Sequence, residues 1–310
     1  MAPELRGVIG ACLTPFDASG SLDIRALARQ IEYTVHDVDA LAVVAVEASE
    51  YRALDEKARE AAIQTAVAEV GGRVPVIAGA SDASAVAVVA RIEFAAAAGA
   101  DLAQVLIPAA PWGGRYSHDQ LVAFFGEVDQ ASPLPVVAYH NPSTGTDLDI
   151  ATYVALSELR SVTCFKESSR DITKISRLVH LLAGKAAYFT TMQPMLITLL
   201  LGGAGATMPP PATRIAAMVR NAFDAGDLDT AVAWQQLFSF FPGGWGRFGL
   251  APLMKAAMRH VGVDIGDPVP PHGALPADID EALGRFIGGC GLVGDLPAPV
   301  HELRRLAGVG

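Results

Sequence analysis

What this chain has little of narrows its function before any motif is read. Its three cysteines, Cys12, Cys164 and Cys290, are odd in number, widely spaced and form no Cys-x-x-Cys pair. A disulfide framework is thereby excluded, and the three read as buried thiols of a reducing compartment. Basic residues are in deficit: 23 Lys and Arg against 33 Asp and Glu leave a formal net charge of −10. Nucleic acids and anionic membranes select basic surfaces, so neither is an expected partner. Apolar runs such as PMLITLLLGGAGATM are interrupted by Gly and Pro before they reach the ~18 residues of a membrane span. The start, MAPELRGVIG, has no basic segment followed by an apolar stretch and a cleavage site, so no secretion signal is expected. The expectation is a soluble, cytoplasmic protein.

Metal and nucleotide signatures are missing too. The histidines are scattered, with no His-x-His or His-x-x-x-His spacing, so no metal site is expected. No Gly-x-Gly-x-x-Gly opens a helix and there is no P-loop, so no nucleotide is expected. The glycines of LGGAGATMPPP could cradle a phosphate. The simpler reading is a helix end at Gly202 and a tight entry into a strand.

What is present is a regular alternation. Half the chain is hydrophobic and 18% is charged, enough apolar material for a large α/β core. Short β-rich runs (GVIGACLTPF, LAVVAV, VPVIAGA, DLAQVLIP, LPVVAYHNP, SVTCFKESS, AAYFTT and GATMP) alternate with segments of helical period. A helix from about Leu22 to His36 has Asp23 and Ile24 near its start, and Ser81 or Asp82 is expected to cap a helix that ends at Gly99. Strands that are continuously apolar imply a parallel sheet covered on both faces. Eight such units predict a (β/α)8 TIM barrel over residues 1–225, with a doubly wound open sheet as the structural rival. Residues 226–310 carry no strand signal and read as a C-terminal helical extension, with helices near DTAVAWQQLFSFF, FGLAPLMKAAMRHV and ADIDEALGRFI.

Chemistry concentrates at two strand ends. In SVTCFKESS, alternation places Val162, Cys164 and Lys166 on one face of a strand. A lysine ending an apolar barrel strand stands where active sites of this fold lie. Desolvation there lowers a lysine pKa, and the free amine can capture a ketone as a Schiff base. The bland alternative pairs Lys166 with Glu167 or Asp171. Lys57, Lys174, Lys185 and Lys255 lie in helical or loop contexts where solvated ammonium groups are ordinary. Tyr139 closes the preceding strand at the matching depth, within reach across roughly 5 Å of strand spacing, and a phenol there can shuttle protons. A half-buried tyrosine bonded to a loop is the alternative. His140 alternates to the other side and reads as structural.

These residues bring a family into view. GVIGACLTPFDASGSLD, the AEV-to-VPVIAGASDAS segment, YHNP and FKESS, in that order over nearly the whole chain, together resemble the dihydrodipicolinate synthase and N-acetylneuraminate lyase family. The resemblance implies a (β/α)8 barrel with a C-terminal helical extension, usually assembled as a tetramer. It also implies a lysine Schiff base with pyruvate or a larger 2-oxo acid, and no cofactor. By motif position Lys166 would form the imine and Tyr139 would shuttle the proton. Thr14 and Pro15 match the family's Thr-Pro-Phe after strand one.

The departures bear on function. Where the family has Gly-Thr-Thr-Gly-Glu to cradle the substrate carboxylate, this chain reads VEASE, Val46 to Glu50, with Glu47 and Ala48 replacing both threonines. Losing a hydrogen bond to a carboxylate costs about 1.5–3 kcal/mol, which Ser49 and backbone amides could offset. Glu47 could serve as an acid or base, or pair with Arg52 or Arg115. Strand four ends in PAAPW, so Ala109 and Ala110 replace the synthases' tyrosines, and YHNPSTGTD lacks the arginine that follows the synthases' strand-five motif. Trp112 and the Tyr-x-Asn-Pro form look like the hydratase-aldolases, where a tryptophan lines an apolar pocket; a loop anchor or interface residue is the other reading. Thr207, on the eighth strand, is grouped with Glu47, Ala48, Ser49 and Trp112 as substrate-binding. The expectation is therefore a class I lyase, an aldolase or hydro-lyase, acting on a 2-oxo acid with an apolar tail and assembled as a tetramer or dimer. Its rivals are a dihydrodipicolinate synthase with a substituted relay and a non-catalytic metabolite-binding barrel.

Overall fold

Short apolar strands alternate with helices in the computed structural model, which describes residues 5–110, 114–144, 146–290 and 292. The strands are β1 (Gly7–Ala11), β2 (Ala40–Val43), β3 (Val76–Gly79), β4 (Leu102–Leu106), β5 (Val136–His140), β6 (Val162–Glu167), β7 (Ala187–Thr190) and β8 (Gly205–Met208). Between them run α1 (Ile24–Val35), α2 (Glu56–Val70), α3 (Ala85–Ala98), α4 (His118–Ala131), α5 (Ile150–Leu156), α6 (Ile172–Leu182) and α7 (Met195–Leu200). The strands close in sequence order into one barrel, all neighbours parallel, with β8 pairing back onto β1. The open-sheet rival is excluded. Strand residues alternate between an interior cluster that includes Ile9, Ile77, Val137, Cys164 and Phe189 and an outer layer, such as Val105, Ala138 and Phe165, packed under the helices. This two-sided burial is what the continuously apolar strands required.

Helix starts follow capping chemistry. Asp23, Asp55, Ser117, Asp149 and Asp171 each accept a hydrogen bond from a backbone N–H of the first turn. In α3 the cap is Ser84, not the expected Ser81 or Asp82. Both of those are engaged elsewhere: the Ser81 hydroxyl accepts from Leu106 N–H at 2.9 Å, and Asp82 pairs with Arg91 at 2.9 Å. Gly99 does end α3, in the left-handed region.

One strand departs from simple alternation. Val162 packs in the outer cluster with Phe165, while Cys164 lies inside the barrel, so the expected common face of Val162, Cys164 and Lys166 holds only for the last two. The cause is a register irregularity: Val136 is opposite Val162, but Val137 is opposite Cys164. The extra residue in β6 flips the side chain before it.

After β8, α8 (Ala212–Asp224) is followed by α9 (Leu228–Gln236), α10 (Leu250–His260) and α11 (Ala277–Gly289), and no strand follows β8 among the described residues. Trp234, Leu253, Met254 and Phe286 of these helices share a buried cluster with Met195, Met208 and Ile215. That packing brings the start of α10 to the barrel's C-terminal mouth. No described helix is long and apolar enough to cross a membrane.

All three thiols are buried. Burial pushes Cys12 up to about 12 and Cys290 to about 11, and it raises Cys164 as well. A thiol whose pKa lies far above the solution pH is a poor nucleophile. The native protein should therefore react negligibly with a thiol reagent at about pH 8, and should release the signal of three thiols once denatured. Rapid labelling of any one in the native state would contradict the packing described.

Candidate active site

The end of β6 decides where the site lies. Lys166 is 5% exposed; its Nζ donates to Ser168 Oγ at 2.5 Å and stands 4.0 Å from the centroid of the Tyr139 ring. Tyr139 and Lys166 are register partners across the β5–β6 ladder. Both therefore face the same interior from adjacent strands. The acids of the bland alternative are turned elsewhere: Asp171 caps α6, and Glu167 points outward.

That outward side is a second register pair. His140 is opposite Glu167, and both are fully buried. His140 Nδ1 lies 2.7 Å from Glu167 Oε2 and 2.8 Å from the Tyr153 hydroxyl, while its Nε2 lies 2.9 Å from the Thr146 carbonyl. Lys174 Nζ stands 3.6 Å from Glu167 and 3.1 Å from Asp147. His140 is structural, as expected. Its partner was also legible: once Tyr139 is aligned with Lys166, the next residues of the two strands must meet on the other face.

A cavity of about 600 Å³ opens over this pair, within the usual range for a small-molecule site. Tyr139, Lys166, Ala48 and Thr207 all line it. The Thr207 hydroxyl is buried and makes no hydrogen bond among the described residues, which leaves an uncommitted donor on the cavity wall. Ser49 stands apart: it is fully buried, and its hydroxyl donates to the Val46 carbonyl at 2.7 Å. Trp112 and the side chain of Glu47 lie outside the described residues. Sequence reasoning missed Asn141, Ser168, Arg170, Met192, Met208 and Leu250, which complete much of the wall. Arg170 could have been suspected from its place just beyond the β6 end. Leu250 belongs to α10, and nothing local marks it. A separate cleft of about 550 Å³, lined by Arg6, Thr163 and Lys185 among others, lies at the opposite end of β6 and β7, away from the strand ends where this fold performs chemistry.

Comparison with known proteins agrees with this architecture. A profile of the dihydrodipicolinate synthetase family matches residues 4–288. The chain belongs to this family. It is 30% identical to the 4-hydroxy-tetrahydrodipicolinate synthase of Exiguobacterium sibiricum over 271 residues, covering 85% of this chain and 90% of that one. Its fold matches the dihydrodipicolinate synthase of Aquifex aeolicus with a TM-score of 0.83 at 24% identity, over 91% of this chain and 97% of that one. The N-acetylneuraminate lyase of Mycoplasma synoviae matches with a TM-score of 0.80 at 18% identity, over 91% and 96% of the two chains. Membership of the dihydrodipicolinate synthetase family makes this chain a lyase.

Within this family fold, the loop after β2 is anchored from several sides. Val44 and Glu50 adopt left-handed backbone conformations. Gly79 must lack a side chain, because its Cβ would fall 1.9 Å from the Val44 carbonyl oxygen. Thr14 N–H donates to the Ser49 carbonyl at 3.0 Å. Glu50 reaches across to α10, where Lys255 Nζ lies 2.8 Å from its carboxylate, and it accepts from Val269 N–H at 3.0 Å. Lys255 is 1% exposed and sits 4.5 Å above the Phe16 ring, so the expected solvated lysine is a core residue. Burial lowers its pKa below that of an ordinary lysine, and the bond to Glu50 opposes the shift.

Removing one member of a buried ion pair strands the other charge at a cost of about 3–5 kcal/mol. Lys255→Met should lower stability by that amount in urea unfolding. Adding Glu50→Gln, which removes the stranded charge but keeps an acceptor for Val269, should recover part of the loss. Strictly additive losses in the double variant would contradict the pairing.

Proposed function

We propose that this protein is a lyase that captures a 2-oxo acid as a Schiff base on Lys166 and then cleaves or dehydrates it. One observation carries the reading. A nearly buried lysine at the C-terminal end of a barrel strand has a tyrosine as its register partner, on the wall of a cavity of about 600 Å³. The neutral amine attacks the 2-oxo carbon, and the carbinolamine loses water to give an imine. The imine accepts the electron pair left at C3 when the C3–C4 bond breaks, as in an aldolase, or when C3 loses a proton before hydroxide leaves C4, as in a hydro-lyase. Tyr139 is the group placed to protonate the departing hydroxyl of the carbinolamine and to exchange protons with the substrate. Thr207 offers its uncommitted hydroxyl to the acid's carboxylate or oxygen substituents. Of the described lining, the β1, β2 and β8 side is largely apolar (Ala11, Val46, Met208), and the β5–β6 side is polar.

A second reading is favoured by the relatives near 30% identity, which are named 4-hydroxy-tetrahydrodipicolinate synthases. Against it stand Ala109 and Ala110 in the loop after β4, and the absence of arginine from YHNPSTGTD. Turnover of pyruvate with aspartate semialdehyde in a coupled assay would establish the synthase reading. Release of pyruvate from longer 2-oxo acids would favour the cleavage reading.

Pyruvate with borohydride should raise the intact mass by one reduced pyruvyl adduct that maps to Lys166, and Lys166→Arg should abolish it. Failure of pyruvate and of a panel of longer 2-oxo acids to give an adduct would remove the proposal. Replacing Tyr139 by Phe should lower kcat roughly 10²- to 10⁴-fold while leaving a slower but detectable adduct. An unchanged kcat would take the proton transfer away from Tyr139.

A further inference from the structure

The wall of the cavity has a charge pattern that imine formation does not use. The chain is acidic overall, at −10, yet no carboxylate lines the cavity among the described side chains, while two basic groups do, Lys166 and Arg170. Arg170 lies in the loop between β6 and α6, and the acids on either side of it are committed elsewhere. Glu167 is bound to His140 and accepts from Ser169 N–H; Asp171 accepts from Thr173 and Lys174 N–H at the start of α6. Arg170 makes no hydrogen bond or ion pair among the described residues. Lys174, one helical turn further on, is paired with Asp147.

The neighbouring polar groups point the same way. Asn141, at the end of β5, spends its carbonyl oxygen on the N–H and hydroxyl of Ser143. That leaves its amide NH₂ as the available face. The Ser169 hydroxyl accepts from Asp171 N–H, which leaves its own proton to donate. This side of the cavity therefore offers a guanidinium, an amide NH₂ and hydroxyl donors, with no carboxylate among the described side chains. A carboxylate complements such a surface, because it only accepts and can take a guanidinium through two parallel hydrogen bonds.

We propose that Arg170, helped by Asn141, binds a second carboxylate at the far end of the substrate, so that the protein selects 2-oxo diacids over 2-oxo acids with neutral tails. This rests on Lys166 capturing the 2-oxo end, and it assigns the other end of the same molecule. The distal carboxylate fixes how the chain of the substrate lies across the cavity, and thus which bond beyond the imine faces Tyr139.

The test compares 2-oxoadipate with 2-oxohexanoate, which have the same carbon chain and differ only in the terminal carboxylate. The readout is the concentration that half-saturates borohydride trapping on the intact protein. The wild type should be half-saturated by the diacid at a concentration about 10- to 100-fold lower, the worth of a charge-assisted hydrogen bond. In Arg170→Ala and Arg170→Gln that ratio should fall to roughly one, and Arg170→Lys should keep part of it. Equal half-saturation of the wild type by both acids, or a ratio that survives in Arg170→Ala, would overturn the proposal. Should no acid be trapped at all, the Schiff-base reading fails by itself. Calorimetric binding of the same two acids to wild type and Arg170→Ala then decides the role of Arg170 by the same ratio.

Discussion

The chemistry proposed for this barrel depends on the register between two neighbouring parallel strands. Strand pairing places Tyr139 opposite Lys166 on the inner face and, one residue later, His140 opposite Glu167 on the outer face. Because side chains alternate, these are two sides of a single constraint. A slip of one residue would drive a lysine and a tyrosine outward, and a histidine and a glutamate into the barrel. The outer pair resists such a slip. It is buried, its members lie 2.7 Å apart, and Tyr153, Thr146 and Ser169 add bonds whose loss would leave polar groups stranded away from water. The buried lysine inside is thus held in place by a buried polar network outside.

A second constraint joins distant parts of the chain. The loop after β2 forms one wall of the cavity, and Glu50 within it is tied to Lys255 more than two hundred positions later. Burying two charges is costly, and such pairs hold their place only when geometry and further hydrogen bonds compensate. Here Glu50 also accepts from Val269, and Lys255 Nζ donates to the Asp267 carbonyl at 3.1 Å. The helices beyond the barrel therefore contribute a side chain to the cavity, Leu250, and also the tether that fixes the opposite wall. Their role is positional, and it explains why α10 carries a lysine on a face that packs against the barrel.

Much of this was legible from residue order. Eight apolar runs separated by helical segments imply a covered parallel sheet and predict a barrel, whose closure the strand pairing decides, and the lysine and tyrosine at two consecutive strand ends mark its mouth. The failures have physical causes. Simple alternation puts Val162 inside, but β6 has a register irregularity at its start. Lys255 reads as solvated in the sequence, because a lone lysine in an amphipathic helix gives no local hint of a carboxylate from a loop far back in the chain. Ser49 reads as a ligand-facing hydroxyl in VEASE, whereas a tight turn directs it onto its own loop's backbone. Arg170 is the avoidable omission: an arginine in a loop is ordinarily a surface charge, but this loop follows a barrel strand that ends in the candidate lysine and borders the cavity.

Imine formation at Lys166 is the claim on which the functional account stands, and a crystal structure of the protein soaked with pyruvate tests it most directly. The account predicts unbroken density from Lys166 Nζ to the ligand's C2, with the Tyr139 hydroxyl within hydrogen-bond reach of the new linkage. Pyruvate lying unattached in the cavity, with Lys166 still bonded to Ser168, would contradict it.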